Sequence, residues 1–455
     1  MLTTAAHMVW LLLTVLYTFL AMGSCAAPPV AHVYAVRIEP PPPEPEHERQ
    51  LSILSARGED SQRMLQVARL FMLEHPDVLV SVHTVERESD YGPALRSRLL
   101  DGNRVDLFHI FGHRDMLELA EHLDDLSDLY WANEAIADTL EPVSVGERFF
   151  GIPFSVEGVG LIVNTRIFEA AEIPLAETDD SFDALEDAWR ELRALITLGN
   201  VLNTEFPELE SVTSLPGQDD EFLSRQLASI ALGGEFASSA AAAQAAFISF
   251  TDAPGMGLYV SLLARYTTHG GSWAALAGIS RTRQLEDGLA TERVAVIQQS
   301  TEVYPRLIAA NPDLEGNFAL MPIPLPGAEQ GFVYTHAPAY WVVNAAADED
   351  TKALAREFLT WLYRSQTGAA FLAEEFGALS PFRDTAAPTG NALHTQLLAH
   401  IAQGRALPRR HREFPHGWAS NSFAPALREY FTDPELGWEE VNQRVVYDWI
   451  ALQPR

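Results

Sequence analysis

From residue 51 onward the chain alternates short apolar runs with segments whose apolar residues recur every three or four positions. Residues 51–56 and 105–110 form short, largely apolar runs and residues 78–85 alternate with period two, the pattern of strands. Between them, residues 59–74 and 93–100 carry the helical period. Strand, helix and strand in succession predict a parallel sheet covered by helices, with ligands beyond the carboxyl ends of its strands. The helical period returns over residues 181–198, most of 221–250 including alanine-rich 238–246, then 348–363, 391–404 and 434–449. There is no internal repeat.

The amino-terminal end follows a different pattern. Residues 8–22 are apolar, but they fall short of the roughly 20 residues that cross a bilayer and fit the core of a signal peptide. Gly23 and Ser24 before Cys25 read as a lipobox, in which the Cys25 thiol is acylated and becomes the new amino terminus. Met22 stands where that motif has Leu, Val or Ala, and no Lys or Arg precedes Arg37. Ser24-Cys25-Ala26 also reads as a small-x-small cleavage site, and an uncleaved anchor is the third reading. Residues 1–25 are thus assigned to a signal peptide with a lipobox. Residues 26–50, with four prolines at 40–43, form an extended tether at roughly 3.1 Å per residue.

Composition narrows the function. In a chain of 455 residues, 47% hydrophobic content supports a folded core spread over two or three domains. The formal charge of -31, from 62 acidic and 31 basic residues, excludes nucleic acid as a partner and argues against an anionic lipid surface. Cys25 is the single cysteine, so no intramolecular disulfide staples the fold. No Gly-x-Ser-x-Gly elbow, His-Glu-x-x-His helix or phosphate-loop lysine is present, so neither an enzyme nor a cofactor is expected.

Five stretches carry a family resemblance. They are Glu74-His75-Pro76 before the run 78–82, Asp101-Gly102 before Val105-Asp106, and Leu123-Asp124-Asp125-Leu126-Ser127-Asp128-Leu129. Next comes Gly151-Ile152-Pro153-Phe154 with Glu157, Gly160-Leu161, Asn164 and Phe168; the last is Trp341-Val342-Val343-Asn344 before Glu357-Phe358-Leu359 and Trp361-Leu362. In this order and spacing, over residues 51 to about 384, the chain resembles the extracellular solute-binding protein family 1 of ABC transporters. The resemblance implies an α/β fold of the periplasmic binding protein-like type II class, two α/β lobes joined by a multi-strand hinge. It places residues 51–150 and about 285–340 in the first lobe, and 151–284 and about 341–455 in the second. It further implies an exported monomer that closes on a carbohydrate or polyol and delivers it to the transmembrane subunits of an ABC permease, anchored through Cys25. A glycerophosphate-like solute and a ligand sensor for a signalling receptor stay open beside it. A glycoside-active enzyme using Glu157 and Glu302 is the remaining catalytic reading.

Candidate site residues follow from that placement. Glu157 matches a family ligand carboxylate, which can accept two hydroxyl hydrogen bonds, though a surface acid near the hinge would look the same. Phe111, His113 and Arg114 follow the run 105–110: Phe111 to stack on a sugar face, Arg114 to hold a hydroxyl, carboxylate or phosphate. His109 and His113 are four apart but straddle a strand end, so no metal is expected. Arg57, Gly58 and Glu59 fill the loop after the first strand. On the second lobe Phe222, Gln299, Glu302, Tyr304 and Trp341 are candidates by motif position, with core packing the rival role for Trp341. Trp418, in a polar, glycine-broken stretch, is expected as a stacking platform. Arg383 would reach an anionic group, and Trp273 is a loop aromatic. Where many sugar binders carry Asn-Gly-x-Trp, this chain runs through residues 294–302 to Tyr304 without a tryptophan.

Overall fold

The apolar runs pair as strands of two separate sheets. The computed structural model describes residues 48–455 except 87, 101–103, 137, 176–180, 199–200, 250–252, 268–275, 329, 384–390, 434 and 454–455. The first sheet has the order Val78–Thr84, Arg49–Ser55, Leu107–Ile110, Tyr340–Val343, Ile152–Pro153. Its first three strands are parallel, and Tyr340–Val343 runs antiparallel to both its neighbours, Leu107–Ile110 and Ile152–Pro153. The carboxyl-terminal five residues of Arg49–Ser55 are all buried, as a strand covered on both faces requires. The helix Ser61–Glu74 covers one face with Met64, Val67, Ala68 and Phe71, the spacing read from the sequence. Glu349–Arg364 shares that core with Leu354, Ala355, Phe358 and Leu359. Asp348 caps it by accepting from the Thr351 amide, with Glu349 and Asp350 in the first turn and Arg364 in the last, matching the helix dipole at both ends.

The second sheet is built on Glu157–Asn164, of which every residue but Glu157 is buried. One edge pairs with Val294–Ser300, beyond which lies Ser211–Thr213. The other edge is divided: Val333–His336 pairs with its beginning and Phe318–Met321 with its end. Ala406–Pro408 extends the sheet beside Val333–His336. The helix Phe182–Leu198 contributes Leu185, Trp189 and Leu192 to the core of this lobe.

The chain crosses between sheets three times: from Pro153 to Glu157, back from His336 to Tyr340, and out again between Phe382, bridged to Ala135, and the helix Ala392–Ala402. Lobe membership therefore differs from the expected division. The strands Val294–Ser300, Phe318–Met321 and Val333–His336 lie in the second sheet, and Tyr340–Val343 with Glu349–Arg364 in the first. The cause is pairing: the eight-residue strand Glu157–Asn164 offers two long edges that capture all three. Arg49 and Gln50, expected in the tether, already pair with Val78 and Leu79. The signal peptide, Cys25 and the tether up to residue 47 lie outside the described residues. Among the described residues, no helix is long and apolar enough to cross a membrane.

Candidate functional site: the cavity at the strand crossings

A cavity of about 370 Å³ opens where the crossings meet. From the first lobe, Ala56, Arg57 and Glu59 reach it from the loop after Arg49–Ser55, and Phe111 from the end of Leu107–Ile110, so both contributions sit at carboxyl ends of parallel strands. From the second lobe come Glu157, Glu221, Arg225, Arg281, Glu302, His336 and Arg412. An adjoining cavity of about 720 Å³ shares Phe111, Glu221, Arg225 and Arg412 with the first.

Ion pairs organise the walls. Buried Asp60 holds Arg57 at 2.6 Å and Arg63 at 2.5 Å, and the Arg57 guanidinium lies 4.6 Å over the Phe154 ring. Arg281 pairs with Glu302 and stands 3.8 Å from Glu221. Glu157 opens its strand, directly across from His336; its carboxyl accepts from Ser300 Oγ at 3.2 Å and lies 3.7 Å from His336 Nε2. Burial, then the neighbouring Glu302 charge, pushes the Glu157 carboxyl well above the usual carboxylate range, against the pull of Arg57 and Arg409. Burial and the Arg409 charge push the His336 imidazole well below its ordinary value, so it stays neutral.

Expected residues divide into three groups. Glu157, Phe111 and Glu302 line the cavity, as do Arg57 and Glu59. His113 and Arg114 instead join the lobes. Glu413, from the second lobe, accepts from the His113 amide at 2.9 Å and the Arg114 amide at 2.8 Å, capping the short helix His113–Glu118. Arg114 returns the contact, donating from Nη2 to the carbonyls of Glu413 at 2.8 Å and Ala243 at 3.1 Å. The arrangement is reciprocal: Glu141 of the first lobe accepts from the Ser239 amide at 2.8 Å and hydroxyl at 2.6 Å, at the start of Ser239–Gln244 in the second. An added Cβ at Gly112 would overlap Glu413 Oε1, so any larger residue there would push this carboxyl off the two amides. Burial outweighs the two amide bonds and pushes the Glu413 carboxyl up to about 7.

The third group is core. Trp418 is fully buried among Phe414, Phe423 and Trp449, and its indole donates to the Val445 carbonyl at 2.8 Å, so it is no stacking platform. Phe222 is buried in the same lobe's core, and its neighbour Glu221 faces the cavity instead. Tyr304 is buried edge-on to Phe318. Trp341 is buried against His109, ring centroids 3.9 Å apart. Gln299 belongs to a buried amide chain, accepting from Gln226 at 3.1 Å and donating to Gln284 at 2.8 Å. Arg383 is exposed, with its amide on the Glu134 carbonyl, and lies in the wall of neither cavity. Trp273 lies outside the described residues. Replacing Trp418 by alanine is therefore expected to lower the unfolding free energy by about 3–5 kcal/mol in urea titrations. Ligand affinity of the remaining folded protein should be unchanged, and a selective loss of affinity would return Trp418 to the site.

Glu221, Arg225, Arg281, His336 and Arg412 were not legible as site residues from motif order. One signal was present: Arg409-Arg410-His411-Arg412 sets three arginines around a histidine in a chain with twice as many acids as bases.

Two α/β lobes joined by strand crossings, with a charged cavity where they meet, define the type II periplasmic binding protein fold. No protein-family model and no curated protein matches the chain. Solved structures do share its fold. RafE from Streptococcus pneumoniae superposes with a TM-score of 0.68 at 15% identity, covering 90% of this chain and 98% of RafE. A family 1 extracellular solute-binding protein from Bifidobacterium longum subsp. infantis gives 0.62 at 15% identity, covering 89% and 99%. The sugar transporter BL01359 from Bacillus licheniformis, solved with stachyose, gives 0.61 at 14% identity, covering 89% and 100%.

Proposed function

We propose that this protein is the exported solute-binding component of an ABC importer, taking a carbohydrate or polyol-type solute into the cavity at the crossings. The observation that carries the reading is that cavity, whose walls come from both lobes and present carboxyl, guanidinium and imidazole groups beside the Phe111 ring. Such groups donate to and accept from hydroxyls in the numbers a polyol offers. A solute that touches both lobes favours the arrangement in which both contact it, which a permease can read. Support comes from fold neighbours solved with raffinose and stachyose. A binding rather than catalytic role is supported by the tie between Glu302 and Arg281, which gives that acid a structural partner. In the same reading, Cys25 carries the lipid anchor; metabolic labelling with a fatty acid should mark the wild type and not Cys25→Ser, and an unlabelled wild type would remove the anchor.

A thermal-shift screen across sugars, oligosaccharides and polyols tests the assignment, because a solute bound only by the folded state raises the melting midpoint. The hit should also compact the protein in small-angle scattering. A screen without a shift, or a shift without compaction, overturns it.

A further inference from the structure

We propose that the solute carries an anionic group, a carboxylate or a phosphate, seated against the His336 wall of the cavity between Arg225 and Arg412, with Arg409 behind it. The proposal deepens the solute-binding reading and rests on it. Its starting point is Arg409, only 8% exposed. The backbone amide of Arg409 donates to Thr335 at 2.7 Å, and its guanidinium touches one polar group, the His336 ring, 3.3 Å from Nη1. Nε and Nη2 are buried without a hydrogen-bond partner, and among the described residues no carboxylate forms an ion pair with this side chain. The Glu221 and Glu157 charges act on it without forming an ion pair, and burial outweighs them; a buried guanidinium with unbonded N–H groups and no ion-pair partner is destabilising, and folded proteins retain few such groups.

A second observation places that charge at a binding wall. His336, the one side chain Arg409 contacts, lines the cavity, and Arg225 and Arg412 line both cavities beside it. The His336 and His411 rings stand 5.9 Å apart, each held neutral by burial and by the charges of Arg409, Arg412 and Arg225. Acids elsewhere in the wall have cations of their own: Glu302 and Glu221 share Arg281, and Glu59 lies 3.8 Å from Arg57. Glu157, facing His336, is driven toward its neutral form and adds little negative charge. A neutral sugar would bring Arg409 no ion-pair partner. An anion on the His336 wall would sit in the field of three guanidinium groups, and arginine forks match carboxylate and phosphate oxygens. In a chain of charge -31, such a wall is also a discriminating feature, since most of the surface repels the same ligand.

The test is isothermal titration of the full-length protein with probe pairs that differ in one anionic group. Galactose is set against galacturonate for a carboxylate, and glucose against glucose 6-phosphate for a phosphate. The acidic member of at least one pair should bind tenfold or more tightly than its neutral counterpart, losing affinity between 50 and 500 mM salt as a charge contact does; which pair responds identifies the anion. Arg409→Met should erase the preference while leaving the melting midpoint of the unliganded protein unchanged or raised, because it removes a buried charge that forms no ion pair. Arg409→Lys should retain part of it. If Arg409→Met does not fold, the salt dependence of the wild-type protein decides alone. Equal affinity within both pairs, or a preference that survives Arg409→Met, overturns the anion site while the carbohydrate assignment stands. Binding of inorganic phosphate or citrate with no carbohydrate, lost in Arg409→Met, upholds the anion site and sinks the carbohydrate assignment; binding of none sinks both.

Discussion

Replacing Glu413 by alanine is expected to lower the unfolding free energy by about 3–5 kcal/mol at pH 6, because the His113 and Arg114 amides lose their buried acceptor together. Urea titration followed by circular dichroism measures it. Glu413→Gln keeps one acceptor oxygen and should cost only about 1 kcal/mol. The two variants also separate in their pH dependence. The Glu413 carboxyl titrates near 4.5 when unfolded and about 7 when folded, so between those values the folded state holds a proton that the unfolded state has released. Stability from this group is complete below pH 4.5 and is lost as pH rises through 7, a fall of about 3 kcal/mol. Glu413→Gln should remove that slope. A wild-type and Gln variant with parallel pH profiles would show that Glu413 does not titrate in this range.

Replacing Glu157 by alanine should weaken binding of the best solute from the thermal-shift screen about 10- to 100-fold, the worth of one or two hydrogen bonds to a buried carboxyl. Compaction in small-angle scattering should disappear at solute concentrations that saturate the wild type. Glu157→Gln should retain most of the affinity near pH 7, since the carboxyl is pushed toward its neutral form and an amide likewise offers one acceptor and a donor. Unchanged affinity in the alanine variant would remove Glu157 from the site.

Local pattern carried much of the fold. The period-two run became Val78–Thr84, whose burial alternates over its first residues, and the helical spacing of Met64, Val67, Ala68 and Phe71 is the face that packs. Partners distant in sequence were not legible. Nothing near residue 300 shows that Val294–Ser300 lies along Glu157–Asn164, and lobe membership turned on that pairing. The site shows the same limit. Phe111 follows from its place after a strand end and Glu157 from the family resemblance, whereas Phe222 and Glu221 differ by one helical step, which decides between core and cavity. Trp418 sits in a glycine-broken, polar stretch, yet its indole is fixed by a carbonyl 27 residues onward. The basic run at 409–412 was visible as charge, but the depth of Arg409 belongs to the tertiary structure.

The facing positions of Glu157 and His336 have a mechanical consequence. Each ends a segment that passes from one sheet to the other, so a rotation of the lobes about these segments has its axis close to both side chains. Displacement grows with distance from an axis, so in the proposed closure this pair would move less than first-lobe groups set farther from the crossings. Recognition can then proceed in two stages, with a less mobile end that inspects the solute on arrival and a more mobile end that commits to it.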